Sequence, residues 1–214
     1  MEIILQQLAP TPLKDKITEN SSDVWKKTLS FHKGEHVFIQ APSGTGKTTL
    51  IHILYGLRTD YEGEVHWDGK LLNGMNETQQ AHLRAGFLSV VFQDLRLFSE
   101  FTTWENLEIK RTLTNTVAQQ RVEEMLQRLG ILEKKNALAK TLSYGEQQRV
   151  AIIRALLQPF DWLLMDEPFS HLDSVNIDKA VSLIAEVSAA NNAGIILADL
   201  ERNDYFLYHK KLFL

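Results

Sequence analysis

The chain has 214 residues, 44% of them hydrophobic and 23% charged, with 23 Lys and Arg against 27 Asp and Glu for a net charge of −4. That is ordinary globular usage and enough chain for a sizeable core, which excludes disordered, collagen-like and coiled-coil readings. There is no cysteine, so disulfide scaffolds, Cys-ligated zinc and thiol catalysis are excluded, and the slightly acidic balance argues against a dedicated nucleic-acid binder.

The first residues, Met1-Glu-Ile-Ile-Leu-Gln-Gln, place an acid where a secretory signal needs a basic region, and no window approaches a membrane-spanning apolar run. Residues 9 to 23, with Pro10, Pro12 and Ser21-Ser22, read as an irregular loop. Four short apolar runs then end at punctuation, as buried parallel strands do. Val37 to Ile39 runs into a Gly-rich segment, and Phe87 to Phe92 stops at Gln93-Asp94. Trp162 to Met165 stops at Asp166-Glu167-Pro168, and Ile195 to Leu197 stops at Ala198-Asp199. Polar residues thus follow each strand's carboxyl end, where an open parallel sheet binds its ligand. Tyr61 to Gly69 reads as an exposed hairpin. Helical patterns cover Thr49 to Leu57, Val117 to Leu129 ahead of Gly130, Tyr144 to Leu157, and Val175 to Ala190.

Two segments carry chemistry. Ser43-Gly-Thr-Gly-Lys-Thr48 lies between a strand and a helix, and its pattern is the phosphate-binding loop with Ala41 in place of the first glycine. Backbone amides of Ser43, Gly44, Thr45, Gly46 and Lys47 can wrap phosphate oxygens, with Thr49 in the first turn of the following helix and that helix's positive end behind them. Lys47 would reach the outer phosphates, and the Thr48 hydroxyl would bind Mg²⁺. Were position 41 to need a positive φ, Ala would cost about 1–2 kcal/mol. The second segment delivers Asp166 from a buried strand toward the metal, through water, opposite Thr48. Glu167 beside it is placed to orient or deprotonate an attacking water.

With these residues in view, the chain resembles the ATP-binding-cassette ATPases over nearly its whole length. Gln93 stands at the family's glutamine loop, where the resemblance implies a catalytic and metal-sensing role. Leu142-Ser-Tyr-Gly-Glu-Gln-Gln-Arg149 is similar to the signature segment, and Ser170-His-Leu-Asp173 to the loop after the second acid. Within the family, Leu88 to Phe98 and Thr102 to Asn106 are similar to the lipoprotein-release, macrolide-export and cell-division branch. The resemblance implies an α/β P-loop NTPase (RecA-like) core with a mostly parallel sheet, a small antiparallel β part and an inserted helical subdomain. In one domain spanning 1–214, residues 1–93 and 158–214 would form the nucleotide-binding core and 94–157 the helical subdomain. It implies ATP and Mg²⁺ as cofactors, and Thr48, Gln93 and Asp166 around the metal. It also implies a head-to-tail homodimer or heterodimer, in which Ser143 and Gly145 close on the partner's nucleotide, and an integral membrane permease. The chain would then sit on the cytoplasmic face of the membrane and drive transport by ATP hydrolysis.

Three departures qualify the match. Tyr144 replaces a glycine of the signature, and Glu146 replaces a glutamine. Asp199 stands where the family has a histidine, and an ionised Asp donates no hydrogen bond. The early loop offers Pro10, Pro12 and Leu13 in place of an adenine-stacking aromatic, with Trp25 further on. These departures define the alternative of a nucleotide-gated clamp with little turnover.

Overall fold

The computed structural model describes residues 1–17 and 22–214; Ser21 of the expected loop, with its three preceding neighbours, lies outside them. Strand β1 (Glu2–Pro10) is followed by a 3-10 turn (Thr11–Lys16), β2 (Thr28–His32), β3 (His36–Gln40) and helix α1 (Lys47–Leu54). Next come β4 (Tyr61–Trp67), β5 (Lys70–Leu71), α2 (Glu77–Gly86), β6 (Leu88–Val91), α3 (Thr103–Thr114), α4 (Gln119–Arg128) and α5 (Tyr144–Ala155). The chain ends with β7 (Trp162–Asp166), α6 (Ser174–Ala190), β8 (Gly194–Asp199) and β9 (Lys210–Phe213).

Among the described residues, one sheet has the order β6-β7-β8-β3-β9 with every pairing parallel, and a second, antiparallel sheet has the order β2-β1-β4-β5. The four apolar runs read from the sequence are β3, β6, β7 and β8, four of this sheet's five strands. The fifth, β9, alternates half-buried and exposed positions, so no apolar run marks it.

Alternation along the parallel strands divides the core. Val37, Ile39, Trp162, Leu164, Ile196 and Ala198 face α1 and the antiparallel sheet. Phe38, Leu163, Met165, Ile195 and Leu197 face α4, α5 and α6, where Val122, Met125, Leu126, Val150, Ile153 and Ile184 pack against them. A layer therefore covers each face, the condition an all-parallel sheet requires.

The stretch expected as an irregular loop from residue 9 is ordered at its start. Ala9 and Pro10 pair with Glu62 and Tyr61, and Pro12 lies at the start of the 3-10 turn, where its fixed φ suits that conformation. The hairpin of 61–69 is present but not exposed throughout, since Tyr61, Val65 and Trp67 point into the core. Helix α2 escaped the periodicity reading because Leu83 is its one buried side chain. Its start is nonetheless encoded: Asn76 and Gln79 cap each other reciprocally, with side-chain to backbone distances of 2.9 Å both ways.

Gly194 opens β8 against the face of Trp162, and a Cβ there would lie 2.4 Å from the indole ring. Gly194→Ala is expected to destabilise the protein by about 1–3 kcal/mol through overpacking. Urea unfolding should show a lower midpoint with an unchanged slope; an unchanged midpoint would mean that the β7–β8 contact yields freely.

Candidate nucleotide site

Parallel pairing brings four strand ends to one edge. Gln40 lies level with Asp199, Asp166 with Ala198, and the end of β6 leads through Phe92 to Gln93 beside them. The loop after β3 turns over this edge and enters α1. Gly44 and Gly46 take φ of 81° and 109°, values that L side chains avoid. Ala41 is absent from the positive-φ residues, so the substitution of the pattern's first glycine carries no backbone strain. Gly46 caps α1 without any side-chain acceptor, which leaves the first helical amides available to an anion.

Lys47 is 6% exposed. Its Nζ donates to the carbonyl of Ala41 at 2.9 Å and lies 3.2 Å from the Glu167 carboxylate. The Thr48 hydroxyl lies 2.6 Å from Asp166 Oδ2 and 3.3 Å from Gln93 Oε1. Gln93 Nε2 donates to Glu167 Oε2 at 3.3 Å. A cavity of about 260 Å³ opens over this cluster, lined by Ser43, Gly44, Lys47, Thr48, Gln93 and Glu167, among others. Every candidate of the phosphate loop and both acids thus meet at one place, with two qualifications. Thr45 turns its carbonyl to the Trp25 indole N–H at 3.1 Å and lines an adjoining apolar cavity instead. Ser143 and Gly145 lie outside the cleft, at the start of α5.

Asp166 is 1% exposed, and its Oδ1 has no hydrogen-bond partner among the described residues. Burial pushes its pKa up to about 6; the Thr48 hydroxyl and Lys47 act against the rise, while Glu167 and Asp199 add to it. Burial likewise raises the pKa of Asp199, again with Glu167 contributing. Three carboxylates therefore share a partly desolvated corner with one lysine. An unpartnered acid oxygen, a hydroxyl and an amide carbonyl are hard donors that suit Mg²⁺, which binds through one or two carboxylates alongside substrate phosphates. The residues fit that ion.

Asp199 is turned onto its own segment. Its Oδ1 accepts the amide of Leu200 at 2.7 Å, and its Oδ2 accepts Asn203 Nδ2 at 3.3 Å. Glu146 is similarly occupied: its carboxylate accepts the Ser143 amide at 2.8 Å while Ser143 Oγ accepts the Glu146 amide at 3.3 Å. The backbone hydrogen bond from Ser143 is the main influence lowering the Glu146 pKa, and the charge is directed at its own helix start instead of projecting outward. Trp25, 2% exposed, packs beneath Gly46 and props the loop from below. Leu13 lies over the same glycine and lines the cleft. Neither support announced itself in the sequence, since both sit far from the loop in the chain.

A phosphate loop, a buried acid and a second acid at the edge of a parallel sheet define a P-loop nucleotide-hydrolysing protein. The chain belongs to the ABC transporter family, whose model matches residues 26–170, and it is an ATP-binding subunit of that family of ATPases. It is 35% identical over 190 residues, 87% of this chain and 84% of the relative, to the lipoprotein-releasing system ATP-binding protein LolD of Psychrobacter arcticus. LolD of Aquifex aeolicus is 37% identical over 188 residues, 86% of this chain and 84% of the relative. The dimeric ABC transporter cassette MJ0796 superposes with a TM-score of 0.79 at 27% identity, covering 93% of this chain and 88% of that one. The same cassette in a post-hydrolysis state with ADP and Pi matches equally well, again with a TM-score of 0.79.

The raised pKa of Asp166 has a definite sign for stability. Its ordinary value is 3.8, so the folded state holds the proton more tightly than the unfolded chain, and the resulting stabilisation is complete below pH 3.8. It is lost as the pH rises through about 6. Without metal or nucleotide, Asp166→Asn is expected to exceed the wild type in stability by about 3 kcal/mol near pH 8. The difference should shrink toward pH 4. Urea unfolding at both pH values checks this, and a difference independent of pH would exclude buried charge as its cause.

Proposed function

We propose that this chain hydrolyses MgATP at the interface of a head-to-tail dimer and drives an integral membrane permease from the cytoplasmic face. The observation that carries the reading is the convergence of Lys47, Thr48, Gln93, Asp166 and Glu167 on one cleft.

Ser43, Gly44 and Gly46 present the loop's backbone to the phosphates, Thr45 braces the loop through its carbonyl on Trp25, and Thr49 lies in the first helical turn behind them. Lys47 exchanges part of its pairing with Glu167 for the outer phosphates, which loosens the contact that occupies Glu167. Thr48, Gln93 and Asp166 would hold Mg²⁺, which when bound would neutralise charge on the phosphates. Glu167 then orients a water and accepts its proton as the water oxygen bonds to the terminal phosphorus and the bond to the bridging oxygen breaks, giving ADP and phosphate. Gln93, already hydrogen-bonded to Glu167, couples the metal position to that carboxylate. Ser143 and Gly145, at a capped helix N-terminus away from the cleft, are placed to meet the nucleotide of a second subunit, an arrangement supported by the dimeric cassette of the same fold. ATP bound at such a seam favours the closed dimer, and hydrolysis releases it.

The membrane partner would dock beside Gln93. Phe98 and Phe101, 54% and 41% exposed, stack with ring centroids 5.3 Å apart. Phe98 also lines a cavity of about 300 Å³ with Lys110, Leu113 and Arg154. Trp104, nearby in the chain, does not extend this surface: the Lys135 ammonium lies over it, 3.9 Å from its ring centre. No helix among the described residues is long and apolar enough to cross a membrane, so a spanning partner would supply the path. Similarity to LolD proteins over most of their length supports a permease of the kind those systems use.

Steady-state phosphate release tests the chemistry. Glu167→Gln is expected to lower kcat by roughly 10²–10⁴-fold, as loss of a general base does, while retaining ATP and trapping a dimer. Lys47→Ala should abolish measurable ATP binding by calorimetry. Absence of turnover in the wild type with MgATP would sink the motor reading. For the partner, Phe98→Asp should leave basal turnover unchanged and abolish co-purification with the membrane permease; full recovery of the complex would place docking elsewhere.

A further inference from the structure

The first turns of α5 hold more than a nucleotide-facing helix end. Tyr144 donates its hydroxyl to the backbone carbonyl of Gln93 at 3.1 Å. One turn on, the side chain of Gln148, 1% exposed, donates Nε2 to the backbone carbonyl of Glu167 at 3.2 Å and accepts the His171 amide at 3.1 Å. The side chains of Gln93 and Glu167 themselves meet at 3.3 Å. One helix therefore grips, by their carbonyls, the two residues whose side chains touch at the cleft.

Glu167 has a reason to need that grip. Its φ is 47°, a left-handed conformation that is unfavourable for a non-glycine residue and persists only where the surroundings enforce it. The Glu167 amide donates to Ala198 at 2.9 Å on one side, and Gln148 takes the carbonyl on the other. The turn that follows is pressed onto the same helix. A Cβ at Gly145 would come within 2.7 Å of the His171 carbonyl, and the Tyr144 and His171 rings lie 4.2 Å apart, edge to face.

We propose that Tyr144 and Gln148 are positioning residues for the water-activating pair Gln93 and Glu167, so that α5 sets the geometry of its own subunit's catalytic acid. This rests on the roles proposed above for Gln93 and Glu167. It gives Tyr144 a purpose at a position where the signature's glycine has no hydroxyl to offer. A displacement of the α5 N-terminus, the part that would face the second subunit's nucleotide, then reaches both members of the pair at once.

Tyr144→Phe removes the hydroxyl and keeps the ring on His171; Gln148→Met keeps the bulk and removes the side chain's hydrogen bonds to Glu167, Ser170 and His171. Each is expected to lower kcat for ATP by roughly tenfold or more, as small misplacements of catalytic groups do, with KM within about twofold of wild type. The double variant should lose less than the product of the single losses, because both act on one pair. In nucleotide-free protein, Gln148→Met should speed hydrogen exchange of the His171 amide. In a Glu167→Gln background neither substitution should lower the residual turnover further. Wild-type kcat in Tyr144→Phe, or a raised KM with kcat intact, overturns the proposal, and Tyr144→Phe decides the matter alone should Gln148→Met fail to fold. If Glu167→Gln itself leaves turnover intact, the underlying catalytic assignment fails instead, and the two failures are thereby separated.

Discussion

The site depends on an imbalance of buried charge. Lys47 enters a corner shared by Asp166, Glu167 and Asp199, and it can satisfy only part of their negative charge. Burying carboxylates without full compensation is costly. The fold tolerates the cost in three ways: Asp166 retains its proton more readily, Asp199 bends onto its own turn, and Glu167 takes Lys47. A cation arriving with a polyphosphate would supply positive charge that these makeshift pairings lack. The parallel sheet makes the imbalance possible, since its strand ends in register bring Asp166, Glu167 and Asp199 to one edge.

The same frame explains why departures from the family pattern leave the site intact. Ala41 stands where a glycine is usual, yet the backbone there does not take a positive φ, and its carbonyl serves as an acceptor for Lys47. Glu146 replaces a glutamine but spends its carboxylate on the Ser143 amide. In each case the local backbone, not the identity of the side chain alone, decides what the substitution does. Asp199 is the exception in direction: its carboxylate points into a turn, so the donor that a histidine would bring has no equivalent at that spot. Neither that loss nor the uncommon signature removes an element of the Lys47, Asp166 and Glu167 cluster.

The parallel core and the chemical cluster were legible from the chain because their signals are local. Apolar runs ending in Gln93, Asp166 and Asp199 state both the strand and its polar end, and Ser43 to Thr48 states loop and helix together. Elements with half-apolar faces were not legible. β1 interrupts its alternation at Gln7, which takes a φ of 52° and shifts the register opposite Gly63, while β9 is edge-placed and polar. Supports reached from a distance were invisible for another reason. Trp25 and Leu13 meet Gly46 only because β1 and the first turn fold under the loop, and nothing in the spacing of residues 13, 25 and 46 encodes that approach.

The Tyr144–Gln93 contact shows how such distant geometry changes the meaning of a motif. Read along the chain, Tyr144 is a defect in a glycine-rich segment that ought to lie against a phosphate. In the folded protein its ring, 44% exposed, lies on His171 and its hydroxyl on the Gln93 carbonyl, so it makes both contacts within its own subunit. Ser143 and the α5 N-terminus remain at the surface, capped and uncrowded by that ring. The segment can therefore keep an anion-facing helix end while its second residue serves the neighbouring loop, because a helix start presents successive side chains in different directions. In the proposed dimer one short stretch would thus join an outward contact to an inward one, which is the physical requirement for a signal to pass between two nucleotide sites.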